Sequence, residues 1–371
     1  MASDPAARAG AILEIDLAAI VANWRLLAAK AAPAECAAVV KADAYGLGAA
    51  PVARALATAG CSRFFVATLD EGIALRAALG PPLANRRPAI AVLNGPPPGT
   101  AAEFVAAQLE PVLNEPGQLA EWSRLAVADR PPAMLHVDTG MSRLGLSAAE
   151  LAAASELHSL GAGFLLSHLA CADVPDHPLN MRQRARFLAA RRQFPALKAS
   201  LAASSGVFLG SDFHFDLVRP GAALFGVNPV PGRQNPLRAV IRLSARILQL
   251  RQIDRGESVG YGAAHVMDGP GLLATASIGY ADGWSRALSH RGCGWLAGTR
   301  VPLVGRVSMD LAVFDVSAAP PPAPATGAMI ELIGERYGVD DVAADAGTIG
   351  YEILTSLGAR YHRVYRPADR G

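Results

Sequence analysis

The chain has 371 residues, too many for one ordinary domain and enough for a large domain plus a smaller one. Its 34 Lys and Arg stand against 32 Asp and Glu, a formal net charge of +2 with no basic stripe, which argues against a nucleic-acid or membrane-surface partner. At 51% hydrophobic and 18% charged residues it has material for a large core and a composition that excludes intrinsic disorder.

The mean hydropathy of +0.25 does not signal a membrane span. No stretch of the roughly 20 apolar residues needed escapes Pro, Gly pairs or charge, and much of the hydrophobic content is alanine. The opening MASDPAARAGAILEID carries acids and a Pro where a secretory leader needs a basic start and an apolar run, so a cytoplasmic protein is expected. Cys36, Cys61, Cys171 and Cys293 are scattered, with no Cys-x-x-Cys pair and no His cluster at ligand spacing. Neither a disulfide framework nor a metal site is supported.

Lysine occurs only at Lys30, Lys41 and Lys198, and every other basic residue is Arg, which cannot form an imine. Lys30 ends an Ala-rich helical stretch. Lys41 closes the apolar run CAAVVK, which reads as a buried parallel strand, and the loop ADAYGLG follows. Further short strands are expected at FFVATL (64–69), AIAVLN (89–94), EPVLN (110–114), MLHVD (134–138), GFLLSH (163–168), LAASS (201–205) and HFDLVR (214–219). Between them lie segments with helical spacing, such as ELAAASELHSL and NMRQRARFLAARRQF, and Lys198 falls in the loop QFPALKAS. Eight strands alternating with helices favour an α/β class fold, a (β/α)8 barrel of the TIM type, over an open doubly wound sheet. No GxGxxG or GxxxxGK[ST] loop is present.

After about residue 235 the texture changes. AVIRLSARILQLRQI, GLLATASIGYA, VPLVGRVSMDLAVFDV and AMIELIG read as β-strands punctuated by Gly, Pro and Asp-Gly turns. SAAPPPAPATG (317–327) reads as an extended, exposed connector. The expected organisation is a barrel over residues 12–235 and a mainly β domain over 236–371, which residues 1–11 could join.

Reactive groups of a (β/α)8 barrel project from the C-terminal ends of its strands, and phosphates often bind after strands seven and eight. The polar residues at those ends are Lys41, Arg143 in DTGMSRLGL, His168, Ser204–Ser205–Gly206, and Arg219–Pro220–Gly221–Ala222. Small, hydroxyl-bearing and Gly turns suit a phosphate held by backbone N–H groups. One Lys facing such a site suggests pyridoxal phosphate held as a Schiff base.

VVKADAYGLGA around Lys41, DTGMSRLGL around Arg143, RPGAALFG after Arg219, VGYGA around Tyr261, GYADGWSR, GRVSMD and GTIGYEILT resemble, in order, the successive motifs of bacterial alanine racemases. The resemblance runs from about residue 12 to the C-terminus. It implies a pyridoxal-phosphate-dependent isomerase that interconverts L-alanine and D-alanine, a peptidoglycan precursor. It also implies a homodimer whose active sites each combine one subunit's barrel with the other's β domain. Lys41 would carry the cofactor imine. Tyr45, Ser204, Gly221, Ala222 and Tyr351 would hold the phosphate. Arg219 would face the pyridine nitrogen, and Arg143 the cofactor phenolate and the substrate carboxylate. The partner would supply Tyr261 as the second base and the Met309 backbone N–H to the carboxylate. Tyr280, Arg286 and Arg306 would line the access channel.

Racemisation removes the α-proton on one face and returns one on the other, which two opposed bases, Lys41 and Tyr261, accomplish without turning the substrate. An ordinary tyrosine titrates near 10 and needs cationic neighbours to act as a base. The expected route is a hydrogen-bond chain from Tyr261 through His168 to Arg219. An Arg opposite the pyridine nitrogen cannot donate a full proton to it, which makes a shallower electron sink and disfavours transamination. That residue also argues against an amino-acid decarboxylase of the same lineage. A barrel-only cofactor carrier would lack the β-domain Tyr. A racemase of broader scope, acting on serine or other small amino acids, is the alternative.

Four positions depart from the family pattern. His136 stands where many members carry a Lys that becomes carbamylated and positions the residue equivalent to Arg143. Ala203 replaces a frequent Asn before Ser204, Ser308 a common Cys, and Gly350 a common Pro before Tyr351. None removes a catalytic group.

Overall fold

The computed structural model describes residues 4–81, 87–126, 130–153 and 160–367. The chain divides into two units: one is continuous, Ile20–Arg238, and the other joins the residues through Ala19 to those from Ala239 onward. Among the described residues no helix is long and apolar enough to cross a membrane.

Strand β1 (Ala11–Asp16) precedes the continuous unit and alternates buried Ala11, Leu13 and Ile15 with partly exposed Ile12, Glu14 and Asp16. It is hydrogen-bonded into the β-rich unit, so the division falls after Ala19 and after Arg238 rather than at residues 12 and 235.

The continuous unit contains β2 (Glu35–Cys36), β3 (Ala38–Val39), β4 (Arg63–Val66), β5 (Ala89–Val92), β6 (Glu110–Leu113), β7 (Ala133–His136), β8 (Ala162–Leu166), β9 (Lys198–Ser200) and β10 (Leu217–Val218). Strands β3 to β9 pair in chain order and in parallel. β10 pairs in parallel with β2, and on its other side the N–H groups of Asp216 and Arg219 donate to the carbonyls of Ala199 and Ala202 at 3.0 and 2.9 Å. The ladder therefore closes. This is a (β/α)8 barrel whose first strand is β2 and β3 together. Phe64, Phe65, Ile90, Val112 and Leu135 are all buried, as parallel strands covered on both faces require.

Most strands end one to three residues before the expected bounds, and the last two depart furthest. The seventh strand is Lys198–Ser200, wholly before the expected 201–205, and Ala203 keeps only an isolated bridge to Arg219. The eighth is confined to Leu217–Val218 behind a short turn at Ser211–Phe213. Lys198 opens β9 instead of lying in a loop, its Nζ 5.9 Å from the Phe164 ring centre, at the N-terminal ends of the strands and away from the reactive mouth. NMRQRARFLAARRQF forms the helix Pro178–Arg191. ELAAASELHSL begins within the helix Ala148–Ala153, and its residues 154–159 lie outside those described.

The second unit adds β11 (Ile241–Ile253), β12 (Ser258–Val259), β13 (His265–Val266), β14 (Gly271–Ala276), β15 (Cys293–Leu296), β16 (Thr299–Val304), β17 (Ala312–Asp315), β18 (Met329–Ile333) and β19 (His362–Arg366). The sheet order is β14-β17-β16-β15-β18-β11-β1-β19, and β14 also pairs with β11, so six strands close into a second, smaller barrel. Ile253, Val259, Met267, Leu273 and Val304 pack together there, with Val313 against them. The connector at 317–327 is exposed over most of its length but not extended. Three reverse turns fold it, with N–H groups of Ala319, Ala323 and Ala328 donating to the carbonyls three residues back.

Candidate active site

Because the barrel strands are parallel, their C-terminal ends meet at one mouth. Lys41, Arg143, His168, Ser204, Arg219, Gly221 and Ala222 all follow strand ends there. Lys41 lies two residues beyond β3 and opens an unusual turn. Ala42, Asp43, Ala44 and Tyr45 all have φ between 52° and 55°, left-handed conformations that cost roughly 1–2 kcal/mol each in a non-Gly residue. Hydrogen bonds hold the turn in place. The Ala42 N–H donates to Glu71 Oε1 at 2.6 Å, the Gly46 N–H to the Ala42 carbonyl at 2.7 Å, and the Ala49 N–H to Asp43 Oδ1 at 2.7 Å. Glu71 also accepts from Ala67 and Thr68 at the start of the helix Leu69–Leu79. A Thr-x-x-Glu spacing in the sequence could have revealed that cap, though not its bond to the lysine turn.

Burial pulls the Lys41 ammonium below the ordinary lysine range, and the Arg143 cation adds to this, while Glu71 opposes it. A lysine that loses its proton more readily is a better nucleophile toward a carbonyl and a better base.

The same turn buries the Tyr45 ring, 5.0 Å from that of Phe225. Tyr45 closes on Gly221 so tightly that a Cβ there would stand 2.3 Å from the phenolic oxygen. Ser204 Oγ accepts from the N–H groups of Gly221 at 3.0 Å and Ala223 at 3.2 Å, leaving its own hydrogen to donate elsewhere. Between them the N–H of Ala222, itself buried, has no acceptor among the described residues. One phenol, one hydroxyl and an uncommitted backbone donor form a cradle for an anion. These residues fit the phosphate of pyridoxal phosphate, with Lys41 at the same mouth to take its aldehyde.

Arg219 is fully inside the barrel. It donates through Nη1 to Ser200 Oγ and through Nη2 to the Ser167 carbonyl at 2.6 Å, and no carboxylate pairs with it among the described residues. Burial lowers its pKa to about 10, so it stays cationic near neutral pH. The expected bond from His168 to Arg219 is not formed; Arg219 donates to Ser200 and Ser167. Neither serine was singled out from the sequence.

His168 and His136 are both driven from 6.5 to about 3, first by burial and then by Arg219. Both are therefore neutral in the folded chain. Below pH 6.5 the unfolded chain takes up protons that the folded one does not, so stability present above 6.5 is lost as pH falls toward 3. The slope is about 1.4 kcal/mol per pH unit for each histidine. Urea midpoints measured across this window should fall with pH, and His136→Gln should flatten the fall.

The remaining residues lie in the β-rich unit. Tyr261 is 73% exposed in a short turn after β12. Gly262 has φ +70°, and a Cβ there would stand 3.1 Å from Arg306 Nη1, which draws Arg306 against this turn. Tyr280 and Ala281 donate their N–H groups to the Ser308 and Met309 carbonyls at 3.1 and 3.0 Å. Gly279 admits this contact, since a Cβ on it would lie 2.3 Å from the Met309 oxygen. Asp282, buried behind them, accepts from Gly279 N–H at 2.9 Å and from Arg360 Nε at 2.6 Å. GYADGWSR and GRVSMD are thus one assembly. Within it the Met309 N–H has no acceptor among the described residues, and Arg286 is tied in through Ser289, which donates to its carbonyl and accepts from Val307. Tyr351 sits in the first turn of the helix Gly350–Thr355.

Residues 15–229 match the family described as alanine racemase, N-terminal domain, and residues 240–365 that described as alanine racemase, C-terminal domain. The chain belongs to the alanine racemase family. A catabolic alanine racemase of Mesorhizobium japonicum is 52% identical over 366 residues, covering 97% of this chain and 94% of the relative. An alanine racemase of Rhodospirillum rubrum is 50% identical over 371 residues, covering 98% of each. The crystal structure of alanine racemase from Bartonella henselae with covalently bound pyridoxal phosphate superposes with a TM-score of 0.90 at 44% identity, over 96% of this chain and all of that one. Members of the alanine racemase family thus match this chain across both units.

Proposed function

We propose that the chain interconverts L-alanine and D-alanine, with pyridoxal phosphate held covalently on Lys41. The observation that carries this reading is a lysine with a lowered pKa sharing its barrel mouth with a buried, carboxylate-free arginine. Tyr45, Ser204, Gly221, Ala222 and Tyr351 hold the phosphate, and Arg219 meets the pyridine nitrogen. When bound, the cofactor supplies an electron sink that acidifies the α-hydrogen of the substrate.

The protein's own groups do the rest. Arg143 and the Met309 N–H bind the substrate carboxylate. Lys41 Nζ moves a proton on one face of the α-carbon and Tyr261 Oη on the other. His168, kept neutral, adds no positive charge beside Arg219. Tyr280, Arg286 and Arg306 line the way in. Chiral analysis of products from a panel of L-amino acids, with and without added pyridoxal phosphate, tests the reading. D-alanine should dominate, and absence of D-alanine would sink it. A large D-serine signal would widen the substrate class. Arg219→Glu, which lets the ring nitrogen keep a proton, should lower racemisation and release pyruvate by transamination.

The catalytic unit is a homodimer in which Tyr261 and Met309 act on the partner's barrel. Support comes from exposure: Tyr261, Tyr280, Met309, Leu311, Ile349 and Tyr351 leave a large apolar set uncovered on the β-rich unit. Mixing inactive Lys41→Ala and Tyr261→Phe chains should restore activity, because one of two sites in a mixed dimer regains both bases. Mixed dimers that form yet stay inactive would place Tyr261 in its own chain's site.

A further inference from the structure

Arg360 lies between the helix Gly350–Thr355, which carries Tyr351, and β19, and it holds two carboxylates at once. Its Nε donates to Asp282 Oδ1 at 2.6 Å and its Nη1 to Asp310 Oδ1 at 2.7 Å. The two acids belong to different motifs. Asp282 is buried within GYADGWSR, whereas Asp310 ends GRVSMD and is exposed.

Asp282 also anchors its own loop. Its Oδ2 accepts from Gly279 N–H at 2.9 Å, and its carbonyl accepts from Gly358 N–H at 2.9 Å, two residues before Arg360. Without the guanidinium this buried carboxylate would keep one donor among the described residues, the Gly279 N–H, with a second carboxylate nearby.

The bonds close a ring. From Arg360 it runs to Asp310 and along the chain to Met309, whose carbonyl accepts from Ala281 N–H at 3.0 Å, and then through Asp282 back to Arg360. The Met309 N–H shares its peptide plane with the Ser308 carbonyl, which accepts from Tyr280 N–H at 3.1 Å. A trans peptide points its N–H and C=O in opposite directions. The bond on the carbonyl side therefore aims the Met309 N–H away from the 279–283 loop.

We infer that Arg360 is a positioning residue for the Met309 N–H: its two-nitrogen grip on Asp282 and Asp310 locks the two motif loops in the arrangement that aims this donor at a substrate carboxylate. A lysine ammonium is a compact point charge and cannot reproduce the planar fork. A backbone donor to the carboxylate acts alike before and during proton transfer, so its misplacement should appear in KM more than in kcat. Only that kinetic consequence rests on the racemase reading.

The test uses the full-length, cofactor-loaded enzyme and has two arms. Backbone hydrogen exchange, read by mass spectrometry on peptides covering 279–283 and 308–311, compares the parent with Arg360→Lys and Arg360→Ala. Both variants should lose protection in these peptides about 10-fold or more, while peptides from Ile20–Arg238 keep theirs. Unchanged protection overturns the inference whatever the substrate proves to be, and so does an equal loss over the whole chain, the mark of a merely structural role. In kinetics, Arg360→Lys should raise the alanine KM about 10-fold or more, the scale of a hydrogen bond to a charged group, with kcat little changed. A cavity of about 190 Å³ borders Asp282, Asp310 and Arg360, so guanidinium ion can enter where Arg360→Ala vacates the side chain. Millimolar guanidinium should bring the KM of the Ala variant back toward the parent, and methylammonium at the same concentration should not. An unchanged KM in the Lys variant, or equal recovery by the two cations, overturns the inference. Should the Ala variant fail to fold, the Lys variant, which keeps a cation beside both acids, carries both arms.

Discussion

Lys41→Ala chains lose the borohydride-reducible linkage to pyridoxal phosphate, and their racemisation falls by at least about 10⁴-fold, the upper end for one positioned base. The effect is large because one residue serves twice, as covalent anchor and as a base. Folding should survive. Lys41 lies beyond the end of β3, and the left-handed turn after it is held by Glu71, Asp43 and backbone groups, not by the lysine side chain. Circular dichroism and the urea midpoint should therefore match the parent. The other lysines are poor substitutes: Lys30 lies over the Phe208 ring at 5.1 Å, and Lys198 opens β9 at the far ends of the strands. A reducible linkage that persists in the variant would move the cofactor to one of them and overturn the assignment.

Tyr261→Phe separates the two directions of the reaction. The substitution removes the ionisable oxygen and keeps the ring, which at 73% exposure supports little of its own unit's core. Proton abstraction from L-alanine should drop about 10²–10⁴-fold, the usual cost of a lost base. Exchange of the D-alanine α-hydrogen with deuterated solvent, which needs only Lys41, should persist in part. Each enantiomer is followed separately. Equal loss for both would mean that one base serves both faces, and the two-base assignment would fall.

Much of the barrel mouth was readable in the sequence, because a parallel strand buried on both faces is a short apolar run whose far end is marked by a polar residue. Lys41, His168 and Arg219 stand out by that rule. Less readable was anything that depends on register or on a side chain's second partner. The left-handed turn after Lys41 contains no Gly until Gly46, so ADAYGLG reads only as a loop, with nothing to mark four successive left-handed residues. Asn114 looks like an ordinary strand end, and only three-dimensional pairing shows it beneath His136. Ser200 and Ser167 look like small strand residues, yet they take the guanidinium that sequence logic had aimed at His168. The β11–β14 pairing that closes six strands in the second unit carries a register shift between Ile247 and Gln249, which no periodicity reveals.

The pairing of β1 has a consequence for biosynthesis. β1 lies between β11 and β19, antiparallel to the first and parallel to the second, so its nearest partner follows it by more than two hundred residues. At about 5–20 residues per second the ribosome needs roughly 10–45 s to make that partner. The intervening (β/α)8 barrel can complete itself during this time, whereas the nascent β1 waits with both edges bare. A waiting strand with an apolar face invites pairing with another chain. Glu14 and Asp16, alternating with Leu13 and Ile15, place carboxylates along its other face, the kind of charge that discourages such pairing.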